Sequence, residues 1–250
     1  MVSELRLIGV TGLREVAPGS DLAELIVHAA EGQKLSFVRG DIIVVTQKIV
    51  SKAEGRTVDL RTITPSPFAE EIARVQQRDP RLVEVVLRES RRVVKMDQRA
   101  INVETRRGFV CANAGVDESN VGDHLVTLLP NDPDESARRL RTSLRERVGV
   151  DLAVIVSDTF ARPWREGFVN VAIGVAGLKP LKDYRGVRDT AGRVLNATIL
   201  AVADELASAA ELVMGKVDRV PVALVRGWRP EALPGTGREL IRPPELDLFR

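Results

Sequence analysis

A short apolar run, Leu152-Ala-Val-Ile-Val156, passes directly into Ser157-Asp158-Thr159. A run of this length, rich in β-branched residues, reads as a buried strand and commits the chain to a sheet. Residues 42–46, 169–174 and 220–225 have the same character. The basic stretch after the first run, Phe160-Ala-Arg162-Pro163-Trp164-Arg165-Glu166-Gly167, is expected to end that strand at Asp158-Thr159. An acid and a hydroxyl delivered there fit a hard divalent cation, and the arginines fit a phosphate. The same residues equally fit an aspartate that only caps a turn.

Helical signals lie between the strands. Ser20 or Asp21 caps a helix with Leu22, Leu25, Ile26 and Ala29 on one face. Residues 66–95 read as two helices broken at Asp79-Pro80. Strand patterns return near 100–112, with Arg107-Gly108 as the hairpin turn. Asp132-Pro133-Asp134-Glu135 opens a helix that runs to Val148 and closes at Gly149. A long helix is expected over 195–213, with Ile199, Val202, Ala203, Leu206, Ala209, Ala210 and Val213 as its apolar stripe. The Pro- and Gly-rich tail from Pro230 reads as an extended surface segment. Strands and helices mix without strict βαβ alternation, so the fold class is α+β, with hairpins and packed helices. No repeat or linker divides the chain, and a single domain over 1–250 is expected, with two structural subdomains as the alternative.

Composition removes whole classes of function. Of 250 residues, 4% are aromatic, which argues against a base-stacking surface for single-stranded nucleic acid. The 37 basic and 35 acidic side chains nearly cancel, so nothing in the charge balance calls for nucleic acid or a membrane. Cys111 is alone and sits in the apolar stretch Phe109-Val-Cys-Ala112, as a buried structural thiol. The N-terminus lacks a basic stretch followed by an apolar one, and a cytoplasmic location is expected.

Several known sites are also missing. No Gly-x-Gly-x-x-Gly follows a strand. Gly215-Lys216 resembles the end of a phosphate loop, but Ala210 and Val217 break that pattern. There is no Gly-x-Ser-x-Gly elbow, and the two histidines, His28 and His124, are too few for a histidine metal site. What remains is a set of oxygens and cations next to strands: Asp117, Asp158 and Thr159 with Lys48, Lys52, Asn120, Arg162 and Arg165. Two aspartates converging on Mg²⁺ or Mn²⁺ with lysines nearby would suit a nucleoside triphosphate.

The segments Ile49-Val-Ser-Lys52-Ala-Glu-Gly55, Asn113-Ala-Gly-Val-Asp117-Glu-Ser-Asn120-Val, Ser157-Asp158-Thr159, Ala172-Ile-Gly-Val-Ala-Gly177, Val202-Ala-Asp-Glu205 and Pro221-Val-Ala-Leu-Val-Arg226-Gly227 occur in register. Together they resemble the coenzyme F420-0:L-glutamate ligases, the F420 gamma-glutamyl ligase family, in its stand-alone form without a nitroreductase-like C-terminal domain. The resemblance implies a GTP-dependent enzyme that joins L-glutamate to coenzyme F420-0 through an acyl phosphate and then adds a further gamma-linked glutamate to F420-1. It implies Mg²⁺ or Mn²⁺ at two sites, K⁺ as a monovalent activator, and an intertwined homodimer.

Position by position, the resemblance makes Asp117 and Asp158 metal ligands and Thr159 a hydroxyl ligand of a second metal. Asp117, Asp158 and Lys52 become the catalytic set. Nucleotide contacts fall on Leu13, Arg14, Glu15 and Val16, on Gln47, Lys48, Lys52 and Asn120, and on the loop Met214, Gly215, Lys216, Val217, Asp218, Arg219 and Val220. The pattern departs at Lys216, where archaeal members place an acid. Either Asp218, or backbone and water, supplies the missing oxygen, or the second metal is held more weakly. Arg162 or Arg165 would hold a substrate carboxylate or phosphate, or else pair with Glu166. The rival readings are a metal-dependent nucleotide phosphohydrolase and a non-catalytic nucleotide- or F420-binding protein.

Overall fold

The computed structural model describes residues 4–119, 121–229 and 233–247. The elements run β1 (Arg6–Gly9), α1 (Leu22–Gly32), β2 (Ile42–Thr46), α2 (Gln47–Ala53), β3 (Thr57–Asp59), α3 (Pro67–Gln76), α4 (Pro80–Glu89), β4 (Ser90–Met96), β5 (Ile101–Thr105) and β6 (Val110–Ala112). There follow β7 (Leu125–Thr127), α5 (Pro133–Val148), β8 (Ala153–Arg162), β9 (Arg165–Ala176), β10 (Lys182–Asp183), β11 (Ile199–Leu200), α6 (Val202–Met214) and β12 (Val222–Arg226).

The apolar runs form one five-stranded sheet in the order β1-β12-β2-β8-β9. Only β2 and β8 are parallel in it. Successive side chains point to opposite faces of a strand. Ile43, Val45, Val154, Val156 and Leu224 therefore fill one core against Ile26 of α1 and Leu140 and Leu144 of α5. Ile42, Val44, Ile155, Ala223 and Val225 fill the other, against Val202, Leu206, Ala210 and Met214 of α6. Both faces are covered, so the strands read as unbroken apolar runs rather than alternating ones. The arrangement mixes α and β as expected, with helices on both faces of a mixed sheet. Residues 57–128 build smaller sheets, β4-β5-β6 and β3-β7, over their own cores with α3 and α4.

Helix starts follow their cap chemistry. Asp21 Oδ1 accepts from Glu24 N at 3.0 Å, and Asp132 Oδ1 accepts from Glu135 N at 3.0 Å. Gly149 ends α5 at φ +70°, a conformation that glycine adopts without strain. Asp79-Pro80 separates α3 from α4 as expected.

Four expectations are corrected. The strand of the opening run does not stop at Asp158; β8 continues to Arg162 and pairs with β9 in a long hairpin. The ladder absorbs the polar residues through register shifts between Val156 and Ser157 and between Ala161 and Arg162. Pro163 and Trp164, the latter at φ +64°, turn the chain. The long helix begins at Val202 rather than 195, because Ile199-Leu200 pair with β10 as β11. Ile199 is accordingly exposed and no part of the helical stripe. The second helix of the middle region ends at Glu89, where 90–96 become β4 against β5. The described part of the tail contains two short 3₁₀ turns, Gly237–Leu240 and Pro244–Leu246.

Candidate functional site

The site forms where β2 and β8 run side by side. At its end β2 turns without a linker into α2, for which the sequence pattern predicts no element. Lys48 and Lys52, four residues apart, share one face of that helix. Lys48 Nζ lies 2.7 Å from Asp117 Oδ2 and donates to the Ser119 carbonyl at 3.0 Å. Asp117 is fixed from behind by paired backbone bonds with Thr127, at 3.0 and 2.9 Å. Burial works to raise the Asp117 pKa, but the Lys48 ammonium and the Ser119 donors outweigh it and hold it below the usual range.

Asp158 stands on the neighbouring strand. Burial, reinforced by the charge of Asp117, pushes its carboxyl up to about 7, against the opposing pull of the Thr159 N–H, Lys216 and Lys48. The two carboxylates thus feel each other, and two lysine ammoniums stand in their field. Thr159 Oγ1 donates to Asn170 Oδ1 across the hairpin at 2.7 Å, and Asn170 Nδ2 donates to Glu211 Oε2 of α6 at 2.6 Å. Lys216 Nζ closes this network, bonded to Thr159 Oγ1 and lying 3.2 Å from Glu211 Oε1.

The expected site residues do not all arrive together. Lys48, Asp117, Asp158, Thr159 and Lys216 do. Lys52 Nζ instead pairs with Glu15 Oε1 at 2.7 Å, which joins two of the expected nucleotide contacts. Arg14 bonds His28, while Leu13 and Val16 pack on the core. Gln47 is buried and accepts from Ser51 Oγ at 2.8 Å. Of the loop after α6, Met214 belongs to the core and Val217 is exposed. Gly215 sits at φ +61°, a conformation that residues with a side chain rarely adopt, so the loop depends on that glycine. Arg219 is at φ +57°, and Val220 packs against Gly9. Asn120 lies outside the described residues. Arg162 donates to the Glu166 backbone carbonyl at 2.7 Å rather than to its carboxylate, and Arg165 is exposed.

Sequence reasoning missed Asn170 and Glu211. The available signal was a lone amide inside an apolar strand; Asn170 is 1% exposed, and a buried amide needs partners. Glu211 is tied to Thr159 through Asn170 and Lys216.

Among the described residues no group of three His, Cys, Asp or Glu side chains is placed to hold a metal. The chemistry of the donors still suits a hard cation. Two carboxylates within each other's electrostatic reach, a threonine hydroxyl and an amide oxygen are all oxygen donors, and ammonium ions already offset their charge.

Comparison with known proteins places the chain in a family. Residues 12–227 match the family model for F420-0:Gamma-glutamyl ligase. The chain is 51% identical to the coenzyme F420:L-glutamate ligase of Methanothermobacter thermautotrophicus, over 98% of this chain and 99% of that one. It is 50% identical to the protein of the same name from Methanopyrus kandleri, over 98% of each. The Methanocaldococcus jannaschii protein of that name is 42% identical over the full length of both. By class, then, the chain is an enzyme, a ligase. More particularly, it belongs to the F420-0:gamma-glutamyl ligase family.

Proposed function

We propose that this enzyme adds L-glutamate to coenzyme F420-0 with GTP as the energy source, and then a further gamma-linked glutamate to F420-1. The observation that carries the nucleotide chemistry is the pair Asp117 and Asp158 on adjacent segments, with Lys48 and Lys216 beside them.

A carboxylate does not condense with an amine in neutral water without activation. In the proposed reaction an oxygen of the F420-0 carboxylate attacks the γ-phosphorus of GTP. The bond to the β–γ bridging oxygen breaks, and GDP leaves with that electron pair. The glutamate amine then attacks the acyl phosphate carbon, loses a proton and expels phosphate. The chain's part is positioning and neutralisation of charge. Lys48 and Lys216 offset phosphate charge, and Lys52 with Glu15 orders the N-terminal segment over α2. Asp117, Asp158 and Thr159 would hold Mg²⁺ or Mn²⁺, with Asn170 and Glu211 orienting the threonine. A bound divalent ion would supply further neutralisation of phosphate oxygens. K⁺ activation belongs to the same reading.

The active form in this reading is a cytoplasmic homodimer. Trp164 and Phe168 at the tip of the β8–β9 hairpin are 87% and 70% exposed, and Ile199 and Leu200 of β11 are exposed too. Apolar side chains on projecting hairpins are suited to burial against a second copy. No helix among the described residues is long and apolar enough to cross a membrane.

The test is direct. Purified protein with F420-0, L-glutamate, GTP and Mn²⁺ should yield products heavier by one and then two glutamyl units. GDP release should require both acceptor and glutamate. GTP hydrolysis indifferent to both would replace this reading with a phosphohydrolase.

A further inference from the structure

Away from the aspartates, a cavity of about 260 Å³ opens between the β5–β6 turn, the end of α4 and residues 129–131. Arg56, Arg106 and Arg107 line it, together with Glu89; Arg106 and Arg107 are exposed at its mouth. Each guanidinium is anchored by a main-chain carbonyl. Arg56 Nε donates to Leu129 O at 3.0 Å, Arg106 to Arg88 O at 2.8 Å and Arg107 Nε to Asn131 O at 2.6 Å. Arg56 also meets Glu89 at 2.9 Å, and Arg107 lies 3.1 Å from Asp132. A guanidinium carries five N–H donors, so each keeps several after these bonds. Forks held rigidly by backbone suit planar carboxylates.

The charge pattern selects among anions. A free amino dicarboxylate carries two carboxylates and one ammonium. The lining inverts this pattern, with several guanidiniums for the carboxylates and Glu89 for the ammonium. A phosphate has no ammonium to offer Glu89, whose oxygens keep acceptor capacity beyond the Arg56 bond. The volume is below the roughly 300–1,000 Å³ of pockets for drug-sized ligands, so an amino acid fits better than a nucleotide. The cavity also shares its chain segments with the aspartate site. The helix bearing Lys48 and Lys52 ends at Ala53, three residues before Arg56. Ala114, which lines the cavity, precedes Asp117 by three residues.

We propose that this arginine cavity is the subsite for the incoming L-glutamate, with Arg106 and Arg107 gripping its carboxylates and Glu89 its ammonium. The proposal rests on the glutamate-ligase reading above.

The test uses the full chain and the variants Arg106→Gln and Arg107→Gln, in which glutamine can still donate to the anchoring carbonyls. Each variant should raise the KM for L-glutamate about tenfold while kcat and the KM for GTP stay near wild type, the loss of one charge-assisted contact. Glutarate, which lacks the amine, should compete more weakly than glutamate, and Glu89→Gln should narrow that gap. Unchanged melting temperatures would show that the fold is intact. A glutamate KM unchanged in both arginine variants would overturn the site and leave the ligase reading standing. Ligand-observed NMR in which both variants lose L-glutamate binding, in a protein that forms no glutamyl product, would support the site and reject the ligase reading. A γ-linked diglutamate that competes better than free glutamate would assign the cavity to the growing tail and overturn the proposal.

Discussion

Asp158→Asn separates the electrostatics of the site from its chemistry. In the metal-free protein the Asp158 carboxyl ionises only at about 7, against an ordinary 3.8. That gap is equivalent to about 4 kcal/mol. Asp158 keeps partial contact with solvent, which screens the charge and lowers the expected effect to roughly 2 kcal/mol. The sign follows from proton binding. Between about pH 4 and pH 7 the folded state holds a proton that the unfolded state has released. Stability therefore falls as pH rises through this window and stays lower above it. Asparagine has no charge to bury and its oxygen can still accept from Thr159 N, at 2.8 Å in the parent. With chelator present, the variant should melt higher than the parent at pH 8, by about 2–4 °C for each kcal/mol, and the two should converge near pH 4. Mn²⁺ should reverse the order at pH 8, since an ion that binds only the folded parent adds about 2.7 kcal/mol at a hundredfold excess over Kd. Turnover should be lost in the variant. A metal-free difference that does not change with pH would refute the reasoning, and equal Mn²⁺ stabilisation of both proteins would refute the metal site.

Other consequences of the packing can be measured separately. Arg226→Met should cost about 3–5 kcal/mol in urea unfolding, because it strands the carboxylate of Asp41, which is 1% exposed and paired to Arg226 at 2.6 Å. Gly174→Ala should cost about 1–3 kcal/mol or more, since its Cβ would lie 2.2 Å from the Pro133 carbonyl oxygen where α5 crosses β9. Burial pushes the Cys111 thiol up to about 12, so native protein at pH 8 should resist maleimide labelling that proceeds at once in denaturant. Glu211→Gln removes the counter-charge of Lys216 and should weaken Mn²⁺ binding by about 10–100-fold in a titration followed by ion quantification.

The strands and helix caps were legible because local chemistry writes them. The apolar runs of β2, β8 and β12 announce burial, and Asp132-Pro133 followed by Gly149 marks both ends of α5. Elements chosen by long-range pairing were less legible. Residues 90–96 continue the composition of a helix, yet β5 offers them a ladder, and Ile199 leaves the helical stripe for β10. The polar stretch 157–162 stays extended for the same reason: β9 satisfies its backbone, whatever its side chains prefer.

By itself the sequence determined the apolar runs, the caps, the family motifs and the acids Asp117 and Asp158 as chemically conspicuous groups. Only the tertiary structure decided that Lys48 meets Asp117 across 69 positions of chain, that Lys52 is taken by Glu15, and that Gln47 is turned into the core. It also supplied Asn170 and Glu211, because a side chain's partner depends on which strands and helices pack together. Periodicity encodes the face a residue occupies, and a contact between remote segments has no period to read.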